Sequence, residues 1–408
     1  MTVEDDGRPR PRVRPSAKIL VVLGALVVGL LIAEVGLRVA GFEYLNLYRQ
    51  DADLGYSLRP GAEGWWREEG EAYVRINSEG LRDREHTKEK PPGTLRVAVV
   101  GDSYAEALQV PQESAFWSVA ERELQNCGSL GGRKVEFINF GVSGFSTARE
   151  LMILRTRVWQ YSPDVVLLLF TTGNDVRDNS KILARQYAGQ PLHYFVYKGG
   201  ALVMDDSLVR ARNESLRFRL QESFAGRALD WLRNHLRVFG LFDKARVALQ
   251  TNGLKRSERR TAAVGFEPGI DEGIYVEPTD PAWVEAWRVT EGLLALVRDE
   301  VRAHGARLLV VTGSNGIQVH PDASVRERFA REMKAEGDLL YPERRIRALG
   351  EREGIEVMNL APALREYAER NHAFIHGTDG HGHWNALGHK LVGGLIAERL
   401  CETDALGR

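Results

Sequence analysis

Leu95–Gln109 reads LRVAVVGDSYAEALQ, and the rest of the chain can be placed around it. Val97, Ala98, Val99 and Val100 make a β-branched and apolar run, the pattern of a strand buried on both faces. The run stops at Gly101-Asp102-Ser103, and Pro111-Gln112-Glu113 signals the start of a helix. A glycine directly before Asp-Ser lets the backbone turn sharply as it leaves the strand. In an open α/β sheet that turn lies at the carboxyl edge, where such folds keep their sites. Ser103 is therefore a candidate nucleophile. Gly-Asp-Ser also makes ordinary turns, so the assignment rests on what else gathers around it.

Downstream, strands and helices alternate, which predicts a mostly parallel sheet of five strands covered on both faces, a three-layer α/β fold. The strands are expected at Leu95–Gly101, Val135–Phe140, Asp164–Thr171, Arg307–Thr312 and Ile355–Leu360. The helices are expected at Gln112–Asn126, Thr147–Trp159, Trp283–Ala303, Pro342–Glu353 and Ala386–Cys401. The main domain thus comprises residues 95–179 and 283–408. The interval 180–282 breaks the rhythm, is amphipathic over Leu216–Val247, and reads as a helical insertion able to act as a lid.

Upstream, residues 42–94 hold short strand-like pieces between Gly and Pro. They read as a small β-rich collar ending in the linker Lys88–Gly93. Residues 1–18 form a basic tail carrying Arg8, Arg10, Arg12, Arg14 and Lys18. Residues 19–41 are apolar apart from Glu34 and Arg38, which stand one helical turn apart and can pair. About 23 residues at ~1.5 Å each can cross a ~30 Å bilayer core. The segment reads as a transmembrane signal anchor of a cell membrane. The basic flank places the amino terminus in the cytoplasm and the remainder outside. A cleaved signal peptide is the alternative, although no clear Ala-x-Ala site follows the run.

The chain has 408 residues, 43% of them hydrophobic and 27% charged, enough for a sizeable core. Its net charge of -1 gives no reason to expect nucleic acid as a partner. Two cysteines, Cys127 and Cys401, rule out a disulfide framework and a cysteine zinc site.

Three further segments fall where strands end. They are Asn139-Phe140-Gly141-Val142-Ser143-Gly144, Thr172-Gly173-Asn174-Asp175, and His376-Gly377-Thr378-Asp379-Gly380-His381-Gly382-His383-Trp384-Asn385. With Gly-Asp-Ser, they resemble the four blocks of the SGNH, or GDSL-type, hydrolases in order and spacing. The stretch Gly55–Arg84 also looks like bacterial membrane-anchored members of that superfamily. The resemblance implies a flavodoxin-like fold and a Ser-His-Asp mechanism with no cofactor and no metal. A serine hydroxyl needs a base to take its proton, and His383 of His-Trp-Asn fills that place. Asp379 would orient the imidazole. In the family two residues usually separate acid and base, whereas here three do, which keeps His381 as a rival base. The oxyanion donors implied are Ser103, Gly144 and Asn174, with Gly141 as the competing glycine.

The histidines 372, 376, 381, 383 and 389 with Asp379 could instead form a metal cluster, but no metal is expected. In a sheet of order 2-1-3-4-5 the first and last helices share a face. Cys127 and Cys401 could then meet and form a disulfide in an oxidising exterior.

The expectation is a membrane-anchored esterase removing a small acyl group, acetyl first, from an envelope glycan or another small ester. An O-acetyltransferase would use the same residues, lipid esters are a third substrate, and a silent glycan- or partner-binding scaffold is the non-enzymatic reading. The oligomeric state is not readable.

Overall fold

The computed structural model describes residues 15–42, 44–184, 192–246, 272–335 and 339–402. The basic tail around Arg8 to Arg14 lies outside these residues, as do parts of the 180–282 interval. The chain divides into two compact units, Met1–Tyr44 with Gln221–Gly253, and Leu45–Leu220 with Leu254–Arg408.

The larger unit begins with two antiparallel hairpins. Strand β1 (Tyr48–Asp51) pairs with β2 (Gly55–Leu58), and β3 (Glu63–Trp66) with β4 (Ala72–Arg75). The β3–β4 hairpin alternates: Ala72 and Val74 turn inward, while Trp65 and Tyr73 stack edge-to-face outside as a cross-strand pair.

The main sheet follows, with β5 (Thr94–Val100), β6 (Lys134–Asn139), β7 (Val165–Thr171), β10 (Arg307–Gly313) and β11 (Glu356–Asn359). All pairings are parallel, and the order is β11-β10-β7-β5-β6, which is 2-1-3-4-5 in order of appearance. The continuous apolar runs are explained by where alternate residues go. Val97, Val99, Leu167, Leu169, Leu309 and Val311 enter one core, with helices Phe116–Gln125 and Ala386–Glu402. Ala98, Val100, Val166, Leu168, Phe170 and Val310 enter the other, with helices Thr147–Thr156 and Pro281–Ala303. Neither face meets water, so neither face is polar. The exception is Arg96, fully buried in β5. Its guanidinium donates to Glu136 Oε2 (2.7 Å) and to the carbonyls of Tyr161 (2.6 Å), Lys88 and Thr87, so no charge is left uncompensated.

Several boundaries differ from expectation. The first helix begins at Phe116, because Ala115 is extended and separates it from a short 3₁₀ turn at Gln112–Ser114. The second ends at Thr156, whose hydroxyl donates to Met152 O, and resumes as a 3₁₀ turn over Val158–Tyr161. Helices Ala323–Glu332 and Ala361–Asn371 were not anticipated. Within 180–282 a β hairpin stands beside the helices: β8 (Tyr194–Lys198) and β9 (Ala201–Asp205). Gly199-Gly200 between them has φ of 59° and 86°, as a two-residue hairpin turn requires.

Cys127 and Cys401 follow or end the two helices on one face and are joined by a disulfide, with Cα atoms 6.0 Å apart.

The smaller unit contains helix Pro15–Val39, helix Phe224–His235 and helical residues 237–246. Leu20–Val39 is long and apolar enough to cross a membrane.

Candidate active site

Strand β5 delivers Gly101-Asp102-Ser103 to the carboxyl edge, and a short helix, Ser103–Glu106, starts at once. Asp102 holds the turn. Its Oδ1 accepts from Tyr104 N and Thr171 Oγ1, both at 3.0 Å, and its Oδ2 accepts from Asn174 Nδ2 at 3.1 Å. Burial pushes the Asp102 carboxyl up, and those hydrogen bonds oppose the push. Behind it lie Glu150 and Asp175, also fully buried. Both are shifted upward by burial and then by the neighbouring carboxylates.

The loop before the last helix brings His383 to Ser103. Nε2 of His383 lies 2.7 Å from Ser103 Oγ. The loop is pinned at both ends: Asn385 Nδ2 donates to Phe374 O and Gly377 O, and Gly377 N donates to His383 O. The Tyr104 ring packs against the imidazole at 4.8 Å between centroids. His381 does not take this place.

The carboxylate that meets Nδ1 of His383 is Glu69, not Asp379. Glu69 Oε2 is 2.6 Å from Nδ1 and also accepts the His383 backbone N–H at 2.9 Å. One oxygen thus fixes both ring and main chain. Glu69 stands at the tip of the β3–β4 hairpin with φ of 58°, a left-handed conformation that costs a non-glycine residue energy and tends to persist where function holds it. Burial pushes its carboxyl up, but the bonds from His383 prevail and hold it below the usual range.

Asp379 is exposed, and its Oδ1 instead caps His381 N at 3.3 Å. Gly380 and Gly382, at φ of 90° and 78°, carry the chain around so that Nδ1 of His383 faces the hairpin. A Cβ on Gly382 would lie 2.8 Å from the Glu69 carboxyl, so the approach needs glycine. Nothing in the collar distinguishes Glu69 from its neighbours Glu68 and Glu71 by sequence alone.

Two loops supply the remaining candidates. Asn174 gives one N–H to Asp102 at 3.1 Å. The loop after β6 runs along the serine helix: Val142 N donates to Gly101 O, and Ser143 N to Glu106 Oε2. Tyr48 Oη donates to the same buried carboxylate. Gly141 is needed for packing, since a Cβ there would lie 2.5 Å from Ala105 Cβ, and its N–H already donates to Asn139 Oδ1. Gly144 stands at φ of 72°, its carbonyl accepting from Arg149 Nη2.

Two further buried histidines, His376 and His389, serve the fold. Burial lowers His376 to about 4 and His389 to about 3, so both are neutral. His376 Nδ1–H donates to Gly382 O, and His389 Nδ1 accepts from Phe116 N. Among the described residues no group of three His, Cys, Asp or Glu side chains converges as a metal site requires.

No protein-family model matches the chain, and no curated protein matches it in sequence. Solved structures similar to it include an acetyl xylan esterase, AlAXEase, at 12% identity, covering 75% of this chain and 99% of that one, with a TM-score of 0.36. A catalytic mutant of an acetylxylan esterase from Geobacillus stearothermophilus shows 11% identity over 78% and 98% of the two chains, with a TM-score of 0.37. The lipase/acylhydrolase from Enterococcus faecalis shows 12% identity over 75% and 95%, with a TM-score of 0.35.

Proposed function

We propose that this chain is a serine ester hydrolase of the SGNH type, in which Ser103 attacks, His383 is the base and Glu69 orients it. The observation that carries the reading is the pair of short contacts on one imidazole: Nε2 to Ser103 Oγ at 2.7 Å and Nδ1 to Glu69 Oε2 at 2.6 Å. With Glu69 accepting a hydrogen bond from Nδ1–H, the neutral ring offers a lone pair at Nε2. That nitrogen takes the Oγ proton as the serine oxygen bonds to the ester carbonyl carbon. The oxyanion that forms is met by the Ser103 and Gly144 amides and by Asn174 Nδ2. His383 then gives its proton to the departing alcohol, and water, activated by the same base, releases the acid. Glu69 stays ionised throughout and stabilises the imidazolium.

The substrate we infer is a small ester, acetyl first, on an envelope glycan. Support comes from the apolar helix Leu20–Val39 and from the Cys127–Cys401 disulfide, both suited to a domain held outside a cell membrane in an oxidising compartment.

The test is hydrolysis of p-nitrophenyl acetate and butyrate by the full chain in detergent, with and without glycan acceptors. Ser103→Ala is expected to lose ~10⁴-fold or more in kcat. Acetyl found on the glycan in place of free acetate would make the enzyme a transferase. No turnover together with no labelling of Ser103 by a fluorophosphonate would overturn the serine mechanism.

A further inference from the structure

The helix Phe224–His235 and the residues after it carry an apolar surface with no cover among the described residues. Phe224 is 84% exposed, Phe242 68% and Trp231 58%, and Leu229, Leu232 and Leu241 of the same segment are exposed as well. In a soluble protein a patch of this kind marks a binding surface. What covers it is indicated by how this segment is attached.

Glu34 lies inside the apolar helix Leu20–Val39 and is 7% exposed. A carboxylate within a membrane span is costly unless paired. Its Oε1 accepts from Arg38 Nε at 2.8 Å and its Oε2 from the backbone N–H of Val238 at 3.1 Å. Arg38 Nη2 donates to His235 O, the Phe42 ring carries the Lys244 ammonium at 5.4 Å, and Gly240 lies against Tyr44. The turn at residues 235–238 is therefore tied to the span at the level of Glu34. Glu34 is five residues before Val39, or ~7.5 Å along the helix axis. That depth matches the ~5–10 Å to which interfacial amphipathic helices sink their apolar faces. Arg227, Arg233, Arg237, Lys244 and Arg246 outnumber Asp230 and Asp243 over residues 224–246, which suits an anionic lipid surface.

We propose that residues 224–246 form a membrane-interface element. Phe224, Trp231 and Phe242 would sit in the headgroup and upper acyl region of the outer leaflet, beside the carboxyl end of the span. This inference rests on reading Leu20–Val39 as a membrane anchor. It adds a second attachment to the bilayer, one that restrains how the chain leaves the membrane.

Both native cysteines are paired, so an introduced one is a unique thiol. Full-length Phe224→Cys, Trp231→Cys, Phe242→Cys, Leu26→Cys and Glu398→Cys proteins are each labelled with an environment-sensitive fluorophore. They are reconstituted in vesicles of phosphatidylcholine and phosphatidylglycerol, with or without lipids bearing a quencher near the headgroup end of the acyl chain. Labels at 224, 231 and 242 are expected to be quenched about twofold by the lipid probe and shielded from aqueous iodide. The label at 398, on the exposed side of the last helix, is expected to respond only to iodide. If 26 is lipid-quenched while 224, 231 and 242 behave like 398, the interfacial element is wrong and the anchor stands. If those three are shielded from iodide and lipid probe alike, protein covers the surface, and the inference is again wrong. A label at 26 open to iodide would remove the anchor and this proposal with it.

Discussion

Ser103 leaves a strand in which every residue is buried, whereas Glu69 sits at the tip of a hairpin of four-residue strands with its side chain 41% exposed. Both reach His383, one at each ring nitrogen. The sheet edge over-determines its contribution: strand pairing on both sides, the Asp102 cap and the bond from Asn174 all fix the serine turn. The hairpin holds its contribution by two hydrogen bonds to His383 and a strained backbone at Glu69. The proposed nucleophile is thus built into the core, while the carboxylate proposed to orient the base is brought to it from an outlying segment. Damage to the first should affect chemistry and folding together, and damage to the second chemistry alone.

Asn174→Ala tests the sheet edge. It removes the proposed oxyanion donor and a partner of buried Asp102, and kcat on an aryl acetate is expected to fall ~10²–10³-fold with KM little changed. Glu136→Gln probes the same sheet away from the chemistry. Burial pushes Glu136 up, but bonds from His86 and Arg96 prevail and hold it at about 2. A depressed carboxylate stabilises the fold above its ordinary range near 4.5 and loses that contribution as pH falls toward 2. The variant is therefore expected to be less stable at pH 7 by about 2 kcal/mol, a gap that narrows in denaturant titrations carried down to pH 3 and closes only near pH 2. Its turnover at neutral pH should be unchanged. Gly382→Ala addresses the hairpin contact. A Cβ there meets the Glu69 carboxyl at a backbone angle that disfavours it. Activity is expected to drop ~10-fold with little change in Tm, because neither core is touched.

The same contrast explains what the sequence could be made to say. The five strands were legible because both sheet faces are apolar, and the Ser103, Gly144 and Asn174 loops follow from where those strands end, whereas the His383 loop lies between the helices Ala361–Asn371 and Ala386–Glu402. Helix ends moved where local chemistry intervened, at extended Ala115 and at Thr156 bonding back to Met152. The β8–β9 hairpin has its own local sign in the sequence, Gly199-Gly200 between two β-prone runs. Glu69 carried none, since its role arises when a hairpin over 300 residues upstream meets a glycine loop. Sequence neighbours compete for such a role until the chain is folded, and Asp379 won on proximity alone.

The most direct test of the Glu69–His383–Ser103 arrangement is the rate at which a fluorophosphonate labels Ser103 in Glu69→Gln beside Asp379→Asn, each at pH 7.5 in the full chain. Glutamine keeps the size of the side chain but presents a weaker acceptor, so the Nδ1 proton is no longer held by a charge. Labelling of Glu69→Gln is expected to slow ~10²-fold or more, and that of Asp379→Asn to stay within about twofold of the parent. Normal labelling of Glu69→Gln with a collapse in Asp379→Asn would contradict the account and return the orienting role to Asp379.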